Sequence, residues 1–145
     1  EFPWLATVVQ AYLFRSVADC EALAGARVRL CKGAYNEPAS VAHRAKRAVD
    51  AAHLRCMDLL LRGDGYPMIA SHDPAIIEKV PSRERLEHQM LYGIRDLEQQ
   101  RIAAAGLTMR VYVPYGTQWY GYFMRRLAER PSNLRFFLRS LVTRG

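Results

Sequence analysis

Five short segments of strand character, at residues 6–13, 28–31, 66–71, 86–91 and 108–113, are each separated from the next by a stretch with the length or the signals of a helix. None is joined to its neighbour by the two-residue Asn-Gly type of turn that closes a hairpin. Strands connected only through helices pair in parallel, so the deduction is an α/β chain built on one parallel sheet. Residues 6–13 form a mostly apolar run suited to a buried strand, in which Gln10 needs a hydrogen-bond partner. In Arg27-Val28-Arg29-Leu30 basic and apolar side chains alternate, the pattern of a strand whose two faces differ, and Thr108 to Val113 alternates in the same way.

The intervening stretches carry helix signals. Ser16 reads as the N-cap of a short helix, with Asp19 and Glu21 in its early turns and Gly25 near its end. A long helix is expected over residues 40–62. Val41, Ala45, Ala48, Ala52, Cys56 and Leu59 keep helical spacing along it, and Arg62-Gly63-Asp64-Gly65 stops it. Asp73-Pro74 is an N-cap followed by proline at the first helical position. Further helices are expected at 95–105, ending at Gly106, at 118–130, ending at Pro131, and at 133–144.

With 145 residues, 50% of them hydrophobic and 24% charged, the chain has the composition of a single globular domain. The net charge of +7 permits an anionic partner. Its basic residues are scattered, however, and neither a zinc-finger spacing nor a lysine-rich tail supports nucleic acid. Cys20, Cys31 and Cys56 are an odd number at unrelated spacings, which argues for a reducing cytoplasm and against disulfides or a metal site. No apolar run reaches the roughly 18 residues of a membrane span, leaving only peripheral contact with a bilayer.

Two groups of residues could carry chemistry. In Arg29-Leu30-Cys31-Lys32-Gly33-Ala34-Tyr35 a strand runs into a basic turn. Gly33 would admit a ligand close to the backbone there, Arg29 and Lys32 would supply positive charge, and Tyr35 a ring with a hydroxyl. Taken alone, Lys32-Gly33 serves equally as a strand-to-loop stop. On the helix expected at 118–130, Tyr122, Arg125, Arg126 and Glu129 stand at i, i+3, i+4 and i+7. Two adjacent guanidinium groups make a bidentate receptor for a carboxylate, with Glu129 placed to orient one; the same face also reads as a solvated Glu-Arg pair.

The run Arg29 to Tyr35 resembles the fifth-strand motif of proline dehydrogenases, flavin enzymes that oxidise L-proline to 1-pyrroline-5-carboxylate. Four more stretches fit in the same order: Val9-Gln10-Ala11-Tyr12, Ala70-Ser71-His72-Asp73-Pro74, Gln89-Met90-Leu91-Tyr92-Gly93, and Arg110 to Gly116 followed by Tyr122 to Leu127. The resemblance implies a (βα)8 TIM-like barrel, a fold of about 250 residues, so these residues correspond to its C-terminal half, as a single partial domain without the earlier strands. It implies FAD as cofactor, with Gln10 and Arg29 at the isoalloxazine, the backbone of Cys31, Lys32, Gly33 and Ala34 lining it, Gln89 and Glu129 also serving it, and Ser71 and His72 toward the adenosine half. Arg29 and Tyr35 would act in catalysis, and Tyr35, Leu91, Tyr112 and Tyr122 would pack around the proline ring. Arg125 and Arg126 would clamp its carboxylate. The implied partners are L-proline, a membrane quinone as electron acceptor and pyrroline-5-carboxylate dehydrogenase as the next enzyme, with the protein cytoplasmic and able to make peripheral contact with the inner face of the membrane. The sequence departs from the pattern at Cys31, where valine is frequent, and at Leu86-Glu87-His88, where Phe-Glu-Phe is more usual. The lysine and aspartate that the family draws from earlier strands have no counterpart here.

Overall fold

A computed structural model describes residues 2, 4–117, 120 and 121. The elements run β1 (Ala6–Gln10), α1 (Ser16–Ala22), β2 (Arg27–Cys31), α2 (Lys46–Arg62), β3 (Tyr66–Ala70), α3 (Pro74–Ile77), β4 (Glu87–Leu91), α4 (Asp96–Ala104) and β5 (Thr108–Tyr112). All five strands pair in parallel and lie in the order β1-β2-β3-β4-β5. Each strand therefore neighbours the one before it in sequence, and the expected five-stranded parallel architecture is present. The helices expected at 118–130 and 133–144 lie almost wholly outside the described residues.

The alternation read in β2 separates two environments. Val28 and Leu30 are completely buried beneath the helices, together with Val9, Ile69 and the α2 residues Cys56, Met57 and Leu60. Burying each large aliphatic side chain stabilises the fold by about 1.5–3 kcal/mol, so this helix-covered layer is the main source of stability. The opposite face of the sheet carries Gln10, Arg27, Arg29, Cys31, Tyr66, Met68, Glu87, Gln89, Leu91, Arg110 and Tyr112, as the register of the strands requires. No described helix packs on that face. Arg27 lies over the ring of its register partner Tyr66, 4.2 Å from the centroid.

Several local expectations are corrected. Ser16 is not a cap: its hydroxyl donates to the Gln10 carbonyl at 2.6 Å, and Arg15 takes the N-cap position with its guanidinium on Asp19. The short apolar run at 6–13 leaves strand geometry after Gln10. Leu13 then bridges Ala42, and Tyr12 O accepts from the His43 amide. Those contacts hold residues 38–43 in a turn, so α2 begins at Lys46 and its buried stripe is Val49, Ala52, His53, Cys56, Met57 and Leu60. Val41 is left exposed. Asp73 does cap α3, accepting from the Ala75 amide, with Pro74 at the first position.

Two glycines fix the turns, one at each end of the strands. Gly33 has φ +110, and a Cβ there would stand 2.1 Å from the Tyr12 ring. Glycine is thus required twice, by backbone conformation and by the buried Tyr12 side chain beneath it. At the opposite end of the sheet Gly65 passes so close to the loop after α1 that a Cβ would meet Ala26 O at 2.3 Å.

The sheet's edges remain uncovered among the described residues. Ala6, Thr7 and Val8 of β1 are exposed, as are Phe2, Trp4 and Leu5 before it, and Tyr112 and Val113 at the other edge. Unpaired parallel edges beside exposed apolar side chains favour association. The 145-residue chain expressed by itself is expected to elute from size-exclusion chromatography as oligomers or aggregate, and a stable monomer would contradict this.

Candidate functional site

Parallel strands deliver their loops to one end of the sheet, and at that end the bare face becomes a site. Register puts Gln10, Cys31, Ala70, Gln89 and Arg110 in one row across all five strands. Arg29 stands one pleat below, beside Val8 and Met68, and Leu91 and Tyr112 one pleat above. Arg29 Nε donates to Gln89 Oε1 at 2.7 Å, tying β2 to β4 across β3. Gln89 Nε2 in turn donates to Glu87 Oε1 at 2.6 Å. Arg110 closes the row with a two-pronged bond to Glu87, 2.5 Å from Nε and 2.9 Å from Nη2. Burial pushes the fully buried Glu87 carboxyl up, but the bonds from Arg110 and Gln89 outweigh it and hold the group below its ordinary range. Glu87 therefore stays ionised and can only accept.

The loop after β2 behaves differently from expectation in one respect. The Lys32 ammonium lies between Asp50, at 2.5 Å, and Asp73, at 2.6 Å, and Lys46 joins the same two carboxylates. Its charge is neutralised by α2 and the α3 cap, so Lys32 does not supply positive charge for an anion. Burial pushes Asp50 and Asp73 up, but Lys32 and its companions pull both below the usual carboxylate range. Lys32 thus pins the turn that carries Gly33 and Ala34. Cys31 Sγ contacts the Val9 carbonyl at 3.6 Å, and burial pushes its thiol up. Tyr35 is half exposed beyond this turn.

After β3, the Ser71 hydroxyl accepts from the Asp73 amide at 3.1 Å and so shapes the cap of α3. His72 reaches across to β4: the Leu91 amide donates to its Nε2 at 2.9 Å. That bond requires a neutral ring protonated on Nδ1. Burial, followed by repulsion from Arg95 and Arg29, lowers the His72 pKa to about 4. The two residues thus organise the loop ends around the site.

A proline dehydrogenase family model matches residues 1–139. The chain belongs to the proline dehydrogenase family. It is 43% identical to proline dehydrogenase 1 of Bacillus subtilis subsp. natto over 98% of its own length and 50% of the relative's. To the proline dehydrogenase of Deinococcus radiodurans it is 42% identical, over 94% of this chain and 47% of the relative. The chain spans about half the length of the curated relatives it matches. Among solved structures, proline utilization A from Bdellovibrio bacteriovorus, inactivated by N-propargylglycine, superposes with a TM-score of 0.71 at 30% identity, covering 84% of this chain and 16% of that one.

Of the residues that the family resemblance singled out, Gln10, Arg29, Cys31, Gln89, Leu91 and Tyr112 share the bare face at the carboxyl end of the sheet. Lys32, Gly33, Ala34, Tyr35, Ser71 and His72 lie in the loops that follow. Tyr122, Arg125, Arg126 and Glu129 lie outside the described residues. Glu87 and Arg110 were missed. The signal available was Glu87 alone, a carboxylate on the same strand face as Gln89, since a buried charge must find a partner. No described helix is long and apolar enough to cross a membrane.

His53, on α2, also titrates low, near 4, chiefly through burial and then through the nearby Lys32. In the unfolded chain both His53 and His72 return to about 6.5. Their contribution to stability is therefore complete above about pH 6.5 and is lost as pH falls toward 4, by up to roughly 3 kcal/mol for each. Thermal midpoints measured between neutral pH and pH 4 should fall steeply, and His72→Gln, which keeps an acceptor but cannot titrate, should flatten the slope.

Proposed function

We propose that this chain forms the C-terminal half of a (βα)8 barrel that oxidises L-proline to 1-pyrroline-5-carboxylate with FAD. The observation that carries the reading is Arg29, a guanidinium held on the open face of the sheet by Gln89, at the end where the loops converge. The donor set there fits the cofactor. One guanidinium, the amides of Gln10 and Gln89 and the backbone of residues 31–34 around Gly33 suit a flat ring edged with carbonyl oxygens and ring nitrogens. When bound, FAD supplies the two-electron acceptor for the hydride that proline loses.

The chain's own residues bind, orient and stabilise charge. Arg29 places a fixed positive charge where negative charge develops on reduction. Leu91, Tyr112 and Tyr35 wall the space above the row, and Tyr122, Arg125 and Arg126 complete the receptor for the ring and carboxylate of proline. Glu129 would orient one of these arginines, while Ser71 and His72 would face the adenosine half. Electrons then pass to a membrane quinone, and the product goes to pyrroline-5-carboxylate dehydrogenase. A basic module for nucleic acid or a phosphorylated ligand finds less support, since Arg15, Lys32, Lys46, Arg62, Arg101 and Arg110 are all paired with carboxylates.

In a full-length enzyme carrying this sequence, Arg29→Met should slow flavin reduction by proline about a hundredfold. Rapid mixing under anaerobic conditions measures it, and an unchanged rate would remove Arg29 from the site. Replacing Arg125 or Arg126 by Met should weaken a proline-like carboxylate inhibitor by about 2–4 kcal/mol, since a desolvated bidentate partner is lost. Flavin content should be unchanged in those variants; equal inhibitor affinity in variant and parent would make the pair a surface feature.

A further inference from the structure

Glu87 is the single acidic side chain that the five strands place on the bare face, and it is fully buried. Its two oxygens accept from Arg110 in a fork, and Oε1 also accepts from Gln89 Nε2. A primary amide has a donor end and an acceptor end that can exchange by rotation. With Glu87 ionised, the donor end of Gln89 must face it, which turns Oε1 toward β2, where Arg29 Nε donates. Without the carboxylate the amide loses that bias, and a flipped Gln89 would present its NH2 to a guanidinium that has only donors.

We propose that Glu87 is a positioning residue for Arg29, acting through the Gln89 amide, and that Arg110 anchors it from the edge strand. The assignment rests on the reading of Arg29 as the cation at the cofactor. It gives the ion pair a purpose other than stability, since buried ion pairs contribute little to stability on balance. Arg110 is well suited to the anchoring part: its Nε and Nη2 meet the two oxygens of Glu87 at 2.5 and 2.9 Å, so it fixes the orientation of the carboxylate as well as its charge.

The test is a four-member cycle in the full-length enzyme: parent, Glu87→Gln, Arg29→Met and the double variant. An amide at position 87 cannot meet the Arg110 fork and Gln89 with acceptors alone, so Glu87→Gln should slow flavin reduction by about tenfold or more. In the Arg29→Met background the same change should add less than about twofold, because partners that act as one unit are not additive. Additive effects, or no effect of Glu87→Gln, would overturn the proposal. A second readout needs neither activity nor flavin. In 15N-labelled apoenzyme the Arg29 Nε–H signal, identified by its loss in Arg29→Met, should be protected from solvent exchange in the parent and lose that protection in Glu87→Gln. Arg110→Met, which leaves Glu87 and Gln89 in place, should weaken the protection in the same sense and carries the test if Glu87→Gln does not fold. Protection unchanged in both would refute positioning. An Arg29→Met enzyme of parental rate, with protection still dependent on Glu87, would instead locate the error in the cofactor assignment.

Discussion

A buried carboxylate on β4 organises the functional face of this chain. Glu87 gathers a guanidinium from the neighbouring edge strand and an amide from its own strand, and that amide in turn holds a guanidinium two strands away. Three polar side chains that repulsion or solvation would scatter are thereby joined in one network across two levels of the sheet. Low local dielectric strengthens each bond and equally penalises any member left alone, so the network behaves as one polar unit.

The arrangement is possible because the two sides of the sheet have been given different tasks. Every described helix packs on the side of Val28, Leu30 and Ile69, where area buried supplies the stability. The other side is then free to carry arginine, glutamine and glutamate at positions that a sheet covered on both faces would fill with aliphatic residues. The loops are pinned from the helix side as well: Asp50 of α2 and the α3 cap Asp73 hold Lys32, and the Tyr12 ring sits under Gly33.

Much of this was legible in the sequence. The alternation of Arg27-Val28-Arg29-Leu30 named both faces of β2 correctly, and Asp73-Pro74 marked the start of α3. What periodicity missed were effects of tertiary contact. Ser16 looks like a cap by type, but the nearby Gln10 carbonyl takes its hydroxyl. The stripe from Val41 to Leu59 continues past the true start of α2, because the His43 amide is drawn to Tyr12 and the turn before it cannot stay helical. Lys32 carried the charge expected of an anion site, yet two carboxylates distant in sequence cancel it. Glu87 was visible as part of a familiar motif, but its pairing with Arg110 depends on strand register, which local pattern does not reveal.

The strand order also bears on how such a chain is made. Each strand pairs with the one synthesised just before it, so a nascent chain leaving the ribosome can add one βα unit at a time to an edge already in place. The growing edge is always the newest strand, and its pairing waits only on the next crossover. The exception is the Arg29 to Gln89 bond, which joins residues 60 apart and forms only after β3 has been inserted between its ends. Assembly of the polar network is thus a late event in synthesis, completed when Arg110 emerges to close the fork on Glu87.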